Sequence, residues 1–431
     1  MVFAFVLAVA VRWIVALRGY RDIPLVEPGT INDNLYYHLS ANLLADGRGF
    51  VNPFSFLEGT IEPTAAHPPG FTVYLSIWSF LGLDTVTWHR LAGGLVSASV
   101  VFPIGLLLRR HFTVRAAGIA MVGAALYPPL WLNDALILSE SMYIPLAGWA
   151  LVFAHRAHDD PSVRRVVELT IVLSLGALTR SEPFLMFFLL LTPLLMTHPA
   201  LSWRRRIALT TLAAGLAMVI LAPWVARNLA TFEEPTYLAV GPGYVLELGN
   251  CDETYSGELL GYWSAACDDG STWPDGADES GIGAAKYAKA TDYIGDHLDE
   301  VPKVMAARVG RILGLYRPLQ GIDFDTFFER RIRRHVQLGL LAHYAVMSAA
   351  VVGAFVWRRR TTLLPLAAVA ATSLATAAIT FGITRYRVGA DLVFLVLAAV
   401  ALDHLIDRYG PPVAAGATPD IGVDELEEAG V

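Results

Sequence analysis

Long apolar runs alternate with short polar segments along most of the chain. A membrane-spanning helix needs about 17–20 consecutive, mostly apolar residues, and the sequence contains ten runs of this kind. The runs lie at roughly 1–18, 88–108, 114–131, 136–154, 166–180, 183–198, 207–224, 337–357, 361–381 and 388–405. This pattern predicts an all-α polytopic membrane protein with about ten transmembrane helices.

The charged residues between these runs indicate the orientation of the helices. Arginine-rich loops lie at 109–115, 155–165, 203–206 and 357–360. All four fall on one side of the membrane, which the positive-inside rule identifies as the cytoplasm. The long polar segments 19–87 and 225–336 fall on the other side. We therefore expect a multi-pass protein of the plasma membrane with both termini in the cytoplasm.

This topology divides the chain into four regions. They are an N-terminal transmembrane module at 1–224 with its first outer loop at 19–87, an extracytoplasmic loop subdomain at 225–336, C-terminal transmembrane helices at 337–408, and an acidic cytoplasmic tail at 409–431. The polar composition of the tail predicts disorder. The opening run has neither a basic start nor a small-residue cleavage site, so we interpret it as a retained signal anchor.

One apolar segment does not fit the alternation of sides. The sequence PPGFTVYLSIWSFLGL at 68–83 is short and is flanked by proline and glycine. If it crossed the membrane, it would reverse the sides of all later loops. It therefore predicts an interfacial helix on the outer leaflet, with Tyr74 and Trp78 at the level of the lipid headgroups.

The composition supports the membrane assignment and limits the cysteine chemistry. Hydrophobic residues make up 55% of the chain and charged residues 16%, against about 45–50% and about 25% in soluble domains. The only cysteines, Cys251 and Cys267, exclude a cysteine-based zinc or iron–sulfur framework. Both lie on the oxidising side of the membrane, which favours a disulfide over two free thiols. They are 16 positions apart, and a disulfide that closes a loop of this size stabilises the folded protein by ~3 kcal/mol.

Ionisable residues collect at the outer ends of the predicted spans. Such residues are costly near a membrane and are usually functional. The candidates are Asp33, Tyr36, Tyr37, His38, His67, Arg90, Asp134, Ser139, Glu140, Arg180, Glu182, Trp224, Arg227, Asn228, Arg385, Tyr386, Arg387 and Asp391. Acids early in the chain and arginines late in the chain would meet at one membrane face. That combination suits a site that binds a lipid phosphate and removes a proton.

Several candidates also have a purely structural interpretation. Asp33 or the neighbouring asparagine could cap a helix over about 35–44. His67 could simply begin the interfacial helix, and Arg180 with Glu182 could form only a mutual salt bridge. Glu140 is harder to explain in this way, because an unpaired carboxylate in an apolar run costs ~2.5 kcal/mol or more.

The order of several short motifs resembles a known superfamily. An acid opens the first outer loop, and LLADGRGF, TAAHPPGFTVYL and GLDTVTWHRLAGG follow it; TRYR precedes the last span. In this order the chain is similar to the GT-C superfamily of polyprenyl-phosphate-dependent glycosyltransferases. The bacterial protein O-mannosyltransferases and the lipid A aminoarabinose transferases are the most similar branches. The likeness covers residues 1 to about 230 and resumes at TRYR.

The resemblance implies a donor, an acceptor and a set of site residues. The donor is a sugar on a polyprenyl phosphate, a membrane lipid that acts as co-substrate, and the acceptor is a hydroxyl of a glycan, a glycolipid or a protein. Asp33 falls on the catalytic acid of the first loop, although relatives often have Asp-Glu where this chain has Asp33-Asn34. Glu140 falls on the second-loop acid, with Asp134 as its rival. Direct displacement would invert the anomeric centre, with Asp33 as the base.

The remaining roles follow from the same likeness. Arginine binds phosphate in bidentate geometry, so the leaving lipid phosphate would be held by Arg385, Arg387, Arg180 and His67. The sugar would be oriented by Glu140, Tyr36, Tyr37, Tyr386 and Trp224. No phosphate-binding glycine motif or metal-ligand constellation stands out in the sequence. We therefore expect no soluble nucleotide-sugar donor, no resident metal or other cofactor, and no nucleic-acid partner.

Two other classes of protein compete with the transferase. A transporter or lipid flippase with ten spans would need charged residues near the bilayer midplane, broken helices and often an inverted repeat. A non-catalytic scaffold that presents the loop 225–336 would leave Asp33, Glu140 and the late arginines without a role. The clustering of ionisable groups at one face favours the transferase.

Overall fold

The computed structural model describes residues 1–25, 32–268, 270 and 273–409. Within these ranges the chain is helical and contains no β-strand, and the one isolated bridge pairs Val51 with Pro63. The all-α class expected from the sequence is confirmed. Apart from Tyr409, the predicted disordered tail lies outside the described residues.

The N-terminal half contains eleven α-helices within the described residues. They are α1 (Val2–Ile14), α2 (Asp33–Ala45), α3 (Pro53–Leu57), α4 (Gly70–Phe80), α5 (Val86–Ala98), α6 (Val101–His111), α7 (Val114–Leu126), α8 (Pro128–Trp131), α9 (Glu140–Asp159), α10 (Val163–Thr179) and α11 (Thr192–Met196). Helix α1 continues as a π-helical turn at Val15–Gly19.

The C-terminal half contains nine more α-helices within the described residues. They are α12 (Trp203–Thr231), α13 (Gly241–Gly249), α14 (Asp252–Tyr255), α15 (Glu279–Asp296), α16 (Val301–Ile312), α17 (Pro318–Phe327), α18 (Arg333–Trp357), α19 (Leu364–Ile379) and α20 (Val388–Tyr409). A 3₁₀ turn at Thr384–Arg387 leads directly into α20.

Five helical segments of the described chain are long and apolar enough to cross a membrane. They are Val2–Gly19, Val86–His111, Trp203–Thr231, Arg333–Trp357 and Thr384–Tyr409. Shorter apolar helices occur at Gly70–Phe80, Val114–Leu126, Glu182–Met196 and Leu364–Ile379. The protein is therefore a multi-pass membrane protein, and each of the ten runs predicted from the sequence coincides with a helix or a chain of helical turns.

The differences from the predicted spans have local causes. The run 183–198 consists of a 3₁₀ turn, a π turn and α11, because Pro183 and Pro193 interrupt it. The run 136–154 becomes α-helical only at Glu140, since Ile137 has a left-handed backbone with φ 56°. The run 114–131 is divided at Tyr127 by the two prolines that follow.

Close packing of small residues brings the long C-terminal helices together. Gly353 on α18 touches the backbone of Leu397 on α20, and a Cβ at position 353 would lie 1.9 Å from the Leu397 carbonyl oxygen. Leucine, valine and alanine side chains around Ile104, Leu151 and Val396 fill the interior of the bundle. This packing fixes the ends of α18 and α20 near one another.

Helix α4 occupies the segment that was predicted to form an interfacial helix. Phe71 and Leu75 are fully buried, while Ile77 and Phe80 are exposed. The Tyr74 hydroxyl donates to the Ala92 carbonyl on α5 at 2.8 Å. The helix therefore packs one face against α5, and the level of Tyr74 and Trp78 relative to the lipid headgroups stays a prediction.

The segment between α12 and α18 contains α13 to α17 and corresponds to the predicted outer subdomain, whose side of the membrane stays a prediction. Its expected boundaries at 224 and 337 fall inside these two helices, which extend beyond the lipid-length apolar runs. Cys251 and Cys267 form the expected disulfide. Arg308 on α16 donates to the carbonyl oxygens of Ala378 and Ile379. It thereby satisfies the last turn of α19 and joins the subdomain to the bundle.

Candidate active site

Asp33 is the first residue of α2, and the cap of that helix is its neighbour. The side chain of Asn32 accepts a hydrogen bond from the Leu35 backbone N–H at 3.0 Å. The structural interpretation of Asp33 as the helix cap is therefore wrong, because the adjacent residue fills that position. The Asp33 carboxylate remains available to other partners, and its side chain is 32% exposed.

Asp33 lies between an arginine and a histidine from distant parts of the chain. Arg385 Nη2 donates to Asp33 Oδ2 at 2.6 Å. His67 Nε2 lies 3.3 Å from Asp33 Oδ1. Burial would raise the pKa of Asp33, but the charges of Arg385 and His67 outweigh it and hold that pKa well below the usual range. Asp33 is therefore ionised at neutral pH.

Arg385 also binds the second acid predicted from the sequence. Its Nε donates to Glu140 Oε1 at 2.8 Å, and Arg180 Nη1 lies 2.6 Å from the same oxygen. The Glu140 side chain has no exposed surface. Among the described residues, its other oxygen, Oε2, is buried without a hydrogen-bond partner. Glu140 is thus firmly held at one oxygen while the other is free to accept a hydrogen bond.

Arg180 extends the network instead of forming only a local pair. Its Nη2 donates to Glu182 Oε1 at 2.6 Å, and its Nη1 also donates to Ser139 Oγ at 3.1 Å. The mutual Arg180–Glu182 bridge expected from their spacing exists. It is one link in a chain of ion pairs that continues through Glu140 to Arg385.

These residues meet because each lies at the end of a helix. Asp33 begins α2, Glu140 begins α9, Arg180 follows the last residue of α10, and Arg385 precedes α20. Each helix end therefore brings one charged side chain to the same region.

Aromatic side chains surround the histidine. The His67 ring stacks on Tyr37 and meets Tyr36 edge-on, both with centroids 4.9 Å apart. Tyr36 and Tyr37 are almost fully buried. The Arg180 guanidinium lies over the Tyr386 ring, with 5.8 Å between the guanidinium carbon and the ring centroid. The three tyrosines expected to bind substrate thus border the ion-pair network, and their packing restricts the orientation of His67 and Arg180.

The loop that carries His67 is held from two sides, by Glu279, which the sequence did not single out, and by Arg227, which was among the candidates. Glu279, at the start of α15, accepts hydrogen bonds from Thr64 Oγ1 at 3.1 Å and from the Ala65 N–H at 2.9 Å. Arg227 Nη1 donates to the Thr64 carbonyl at 2.9 Å. The outer subdomain therefore positions the loop that places His67 beside Asp33.

Glu329 is a further acid that sequence reasoning missed. Its Oε1 lies 3.8 Å from Arg385 Nη1, and its side chain is 12% exposed. It comes from the connection between α17 and α18. Burial raises its pKa, and Asp33 adds to that effect while Arg385 opposes it. The cluster therefore contains one acid with a lowered pKa and one with a raised pKa.

Two expected site residues, Trp224 and Asp134, lie elsewhere, and Arg387 has a different acid as its partner. Arg387 pairs with Asp391, with Nε 2.9 Å from Oδ2, and so belongs to a neighbouring buried group. The indole of Trp224 donates to the Leu238 carbonyl at 2.8 Å and lies in a separate aromatic cluster. Asp134, the rival of Glu140, pairs with Arg12 on α1 at 2.8 Å.

Two cavities meet at Arg385. The larger has an empty volume of about 560 Å³, and its polar wall includes Arg385 and Arg387 while Leu132 and Leu340 contribute to its apolar wall. The smaller, of about 260 Å³, is lined by Arg180 and Tyr386 among others. The Arg385 guanidinium thus lines both the larger cleft and the smaller one.

No metal-binding arrangement is present among the residues for which the structure gives positions: no group of three or more histidine, cysteine, aspartate or glutamate side chains could hold an ion. Chemistry without a resident metal or other cofactor stays a prediction.

Solved structures share this fold. The chain superposes on the oligosaccharyltransferase AglB of Archaeoglobus fulgidus, solved in complex with an inhibitory peptide and a dolichol-phosphate. The TM-score is 0.54 and the sequence identity 15%, and the superposition covers 99% of this chain and 53% of AglB. The A. fulgidus enzyme in complex with Zn and sulfate superposes with a TM-score of 0.51 and 18% identity, over 94% of this chain and 49% of that enzyme. ArnT of Cupriavidus metallidurans bound to undecaprenyl phosphate gives 0.45 and 14% identity, over 97% and 81%.

The AglB superpositions show that this chain shares the fold of that oligosaccharyltransferase. The sequence resemblance predicted a membrane fold of this kind. The chain spans about half the length of the archaeal oligosaccharyltransferase. No family model matches the sequence, and no curated protein matches it significantly.

Proposed function

We propose that this protein is a membrane glycosyltransferase that moves a sugar from a polyprenyl-phosphate donor to an acceptor hydroxyl at the outer face. The observation that carries the proposal is the bridge that Arg385 makes between Asp33 and Glu140. It places an ionised carboxylate, with one-third of its side-chain surface exposed, next to a network of ion pairs built on Arg180 and Arg385, in a chain with the fold of AglB.

The distribution of arginines supports an outer-face site. Arg109 and Arg110 lie in the last turn of α6, Arg156 lies in the last turn of α9, and Arg204 follows the start of α12. Glu140 lies at the opposite end of α9 from Arg156. If the arginine-rich ends are cytoplasmic, the cluster around Asp33 faces the outside.

The larger cleft suits the lipid phosphate. Arg385 Nη1 and Arg387 Nη2 donate no hydrogen bond to other described residues, and both side chains line this cleft. They would neutralise the charge that develops on the leaving phosphate, and the apolar wall would take the first isoprene units. Loss of one such donor costs about 10²–10³ in rate in other enzymes.

In the proposed reaction, Asp33 accepts the hydroxyl proton late in the attack on the anomeric carbon. The new bond joins the acceptor oxygen to that carbon, and the bond to the phosphate oxygen breaks with its electron pair. The sugar hydroxyls would bond to Glu140 Oε2 and the surrounding tyrosines. Displacement in one step inverts the anomeric configuration.

A transfer assay with purified protein in detergent tests the proposal. Radiolabelled polyprenyl-phosphate mannose and arabinose are offered with crude envelope glycans, glycolipids and peptides as acceptors. We expect transfer by the wild type and loss of transfer by Asp33→Asn, with retained binding of the donor lipid. Asp46→Asn is the matched control, since Asp46 is exposed at the other end of α2.

Each other outcome has a definite meaning. Equal transfer by the wild type and Asp33→Asn would remove Asp33 from the role of base. Lipid binding without transfer from any donor would favour a flippase. NMR analysis of the product must show an anomeric configuration opposite to that of the donor, and retention would exclude direct displacement.

A further inference from the structure

Asp33 alone is a poor final proton acceptor. Its two oxygens already face Arg385 and His67, and these neighbours, Arg385 above all, hold its pKa well below the usual range. A proton that reached Asp33 during the attack would therefore leave it readily. Catalysis by Asp33 thus calls for a second group, close to the same guanidinium, that binds the proton more tightly.

We propose that Glu329, which faces the other terminal nitrogen of Arg385, is a second catalytic carboxylate and receives the acceptor proton from Asp33. The proposal rests on the proposed glycosyl transfer and assigns the path of its proton. Asp33 contacts Nη2 and Glu329 faces Nη1 of one planar guanidinium. Among the described residues, Glu329 accepts no hydrogen bond, so its oxygens are available.

The connection around Glu329 is fixed by the residues that follow it. Arg331 Nη1 donates to Asp325 Oδ2 at 3.0 Å and to Thr384 Oγ1 at 3.0 Å. Thr384 directly precedes Arg385, so the two chain segments are joined next to the contact between Glu329 and Arg385. Arg330 has a φ of 58°, a left-handed conformation that is strained for a residue with a side chain. Such strain persists where the surrounding contacts enforce it.

The groups that face Glu329 set its proton affinity. Arg385 from the 3₁₀ turn before α20 and Arg331 from its own connection favour the ionised form, whereas Asp325 on α17 and Asp33 on α2 oppose it. Burial is the largest influence, and the net effect raises the pKa of Glu329. The proposed transfer therefore runs from the acid whose pKa is lowered to the acid whose pKa is raised.

The proton count closes without another reactant. The acceptor hydroxyl loses one proton to Asp33 as its oxygen bonds to the anomeric carbon, and the polyprenyl phosphate leaves with the electron pair of the broken bond. Asp33 then passes the proton to Glu329 and regains its charge. Glu329 releases the proton to solvent through its exposed surface before the next turnover.

The test compares kcat and KM between pH 5 and 8.5 for the wild type, Glu329→Gln and Glu329→Asp. We expect the wild-type kcat to fall on the acid side with a midpoint above the ordinary glutamate value of about 4.3. Glu329→Gln should lower kcat by about 100-fold, the scale of general acid–base contributions, abolish this acid limb and leave KM for the donor unchanged. Glu329→Asp, which keeps a carboxylate, should retain the limb with an intermediate rate.

Asp323→Asn serves as the control, because Asp323 pairs with Arg333 at the exposed surface of the same region. Thermal unfolding and size-exclusion elution must match the wild type for each variant. If Glu329→Gln does not fold, the pH profile of Glu329→Asp tests the proposal, which requires that variant to retain the acid limb of kcat. A wild-type rate and pH profile in Glu329→Gln, or a changed KM with unchanged kcat, would overturn this inference alone. Absence of transfer by the wild type would overturn the proposed function and this inference with it.

Discussion

Arg385 donates from Nη2 to Asp33 Oδ2 at 2.6 Å, although the two residues are 352 positions apart in the sequence. The pair joins the first outer helix to the segment before the last membrane helix. Because Arg385 Nε also bonds Glu140, one guanidinium determines the relative positions of both predicted acids. The site therefore exists only in the folded bundle.

Replacement of Arg385 by lysine should greatly reduce transfer. A lysine ammonium is a compact charge and cannot bond two carboxylates and a phosphate in the planar geometry of a guanidinium. We expect kcat to fall by about 10²–10³, the usual effect of losing one charge-stabilising donor. The measurement is the transfer rate at saturating donor. Arg333→Lys, at an exposed ion pair, should keep wild-type activity, and an active Arg385→Lys would exclude the bridging role.

Glu140 and Asp33 should respond differently to loss of charge. The Glu140 side chain is 0% exposed and lies against Arg180 and Arg385, while that of Asp33 is 32% exposed. Glu140→Gln leaves two guanidiniums without their buried partner, and such a loss costs about 3–5 kcal/mol. We expect a clear fall in Tm for Glu140→Gln and a smaller one for Asp33→Asn, measured by thermal unfolding in detergent. The reverse order would contradict the burial argument.

The sequence predicted the acids and arginines of the site because charge near apolar runs is rare. Glu140 lies within an apolar run and Arg180 and Arg385 lie at the ends of such runs, where their cost requires an explanation, while Asp33 lies in the outer loop that follows the first run. Membrane crossings also fix which residues share a face, so these four could be grouped without a structure. His67 was a candidate from its place in the first outer loop, the family resemblance suggested its role at the phosphate, and the structure places it against Asp33.

The residues that were missed or misplaced have no comparable signal. Glu279 and Glu329 lie in an acidic outer region where one more carboxylate does not stand out, and only tertiary packing brings them to the cluster. Arg387 was grouped with Arg385, but in a 3₁₀ turn residues two apart point in different directions. Arg387 accordingly pairs with Asp391, whereas Arg385 pairs with Asp33.

A histidine pair beneath the site should make stability depend on pH. His38 Nδ1 lies 3.0 Å from His89 Nδ1, and burial lowers the pKa of His38 to about 4. The unfolded chain, with a histidine pKa of about 6.5, then binds more protons than the folded protein between these values. Stability therefore falls as the pH drops from about 6.5 towards 4.

His38→Gln should remove part of that acid sensitivity. We expect the Tm difference between pH 7.5 and pH 5 to be smaller in this variant than in the wild type. His404→Gln, a change on α20 away from the pair, should leave the difference unchanged. An identical difference in His38→Gln and the wild type would show that the pair does not titrate on unfolding.

The disulfide between Cys251 and Cys267 should affect activity as well as stability. Its loop of 16 positions is stabilised by ~3 kcal/mol in the entropic account, and it lies in the same subdomain as Glu279, which holds the loop that carries His67. Reduction should therefore lower both Tm and kcat, because a loosened subdomain positions His67 less well. The double variant Cys251→Ser/Cys267→Ser should reproduce both losses and show no further response to dithiothreitol. A lower Tm with an unchanged kcat would mean that the contact of Glu279 with Thr64 does not control the site.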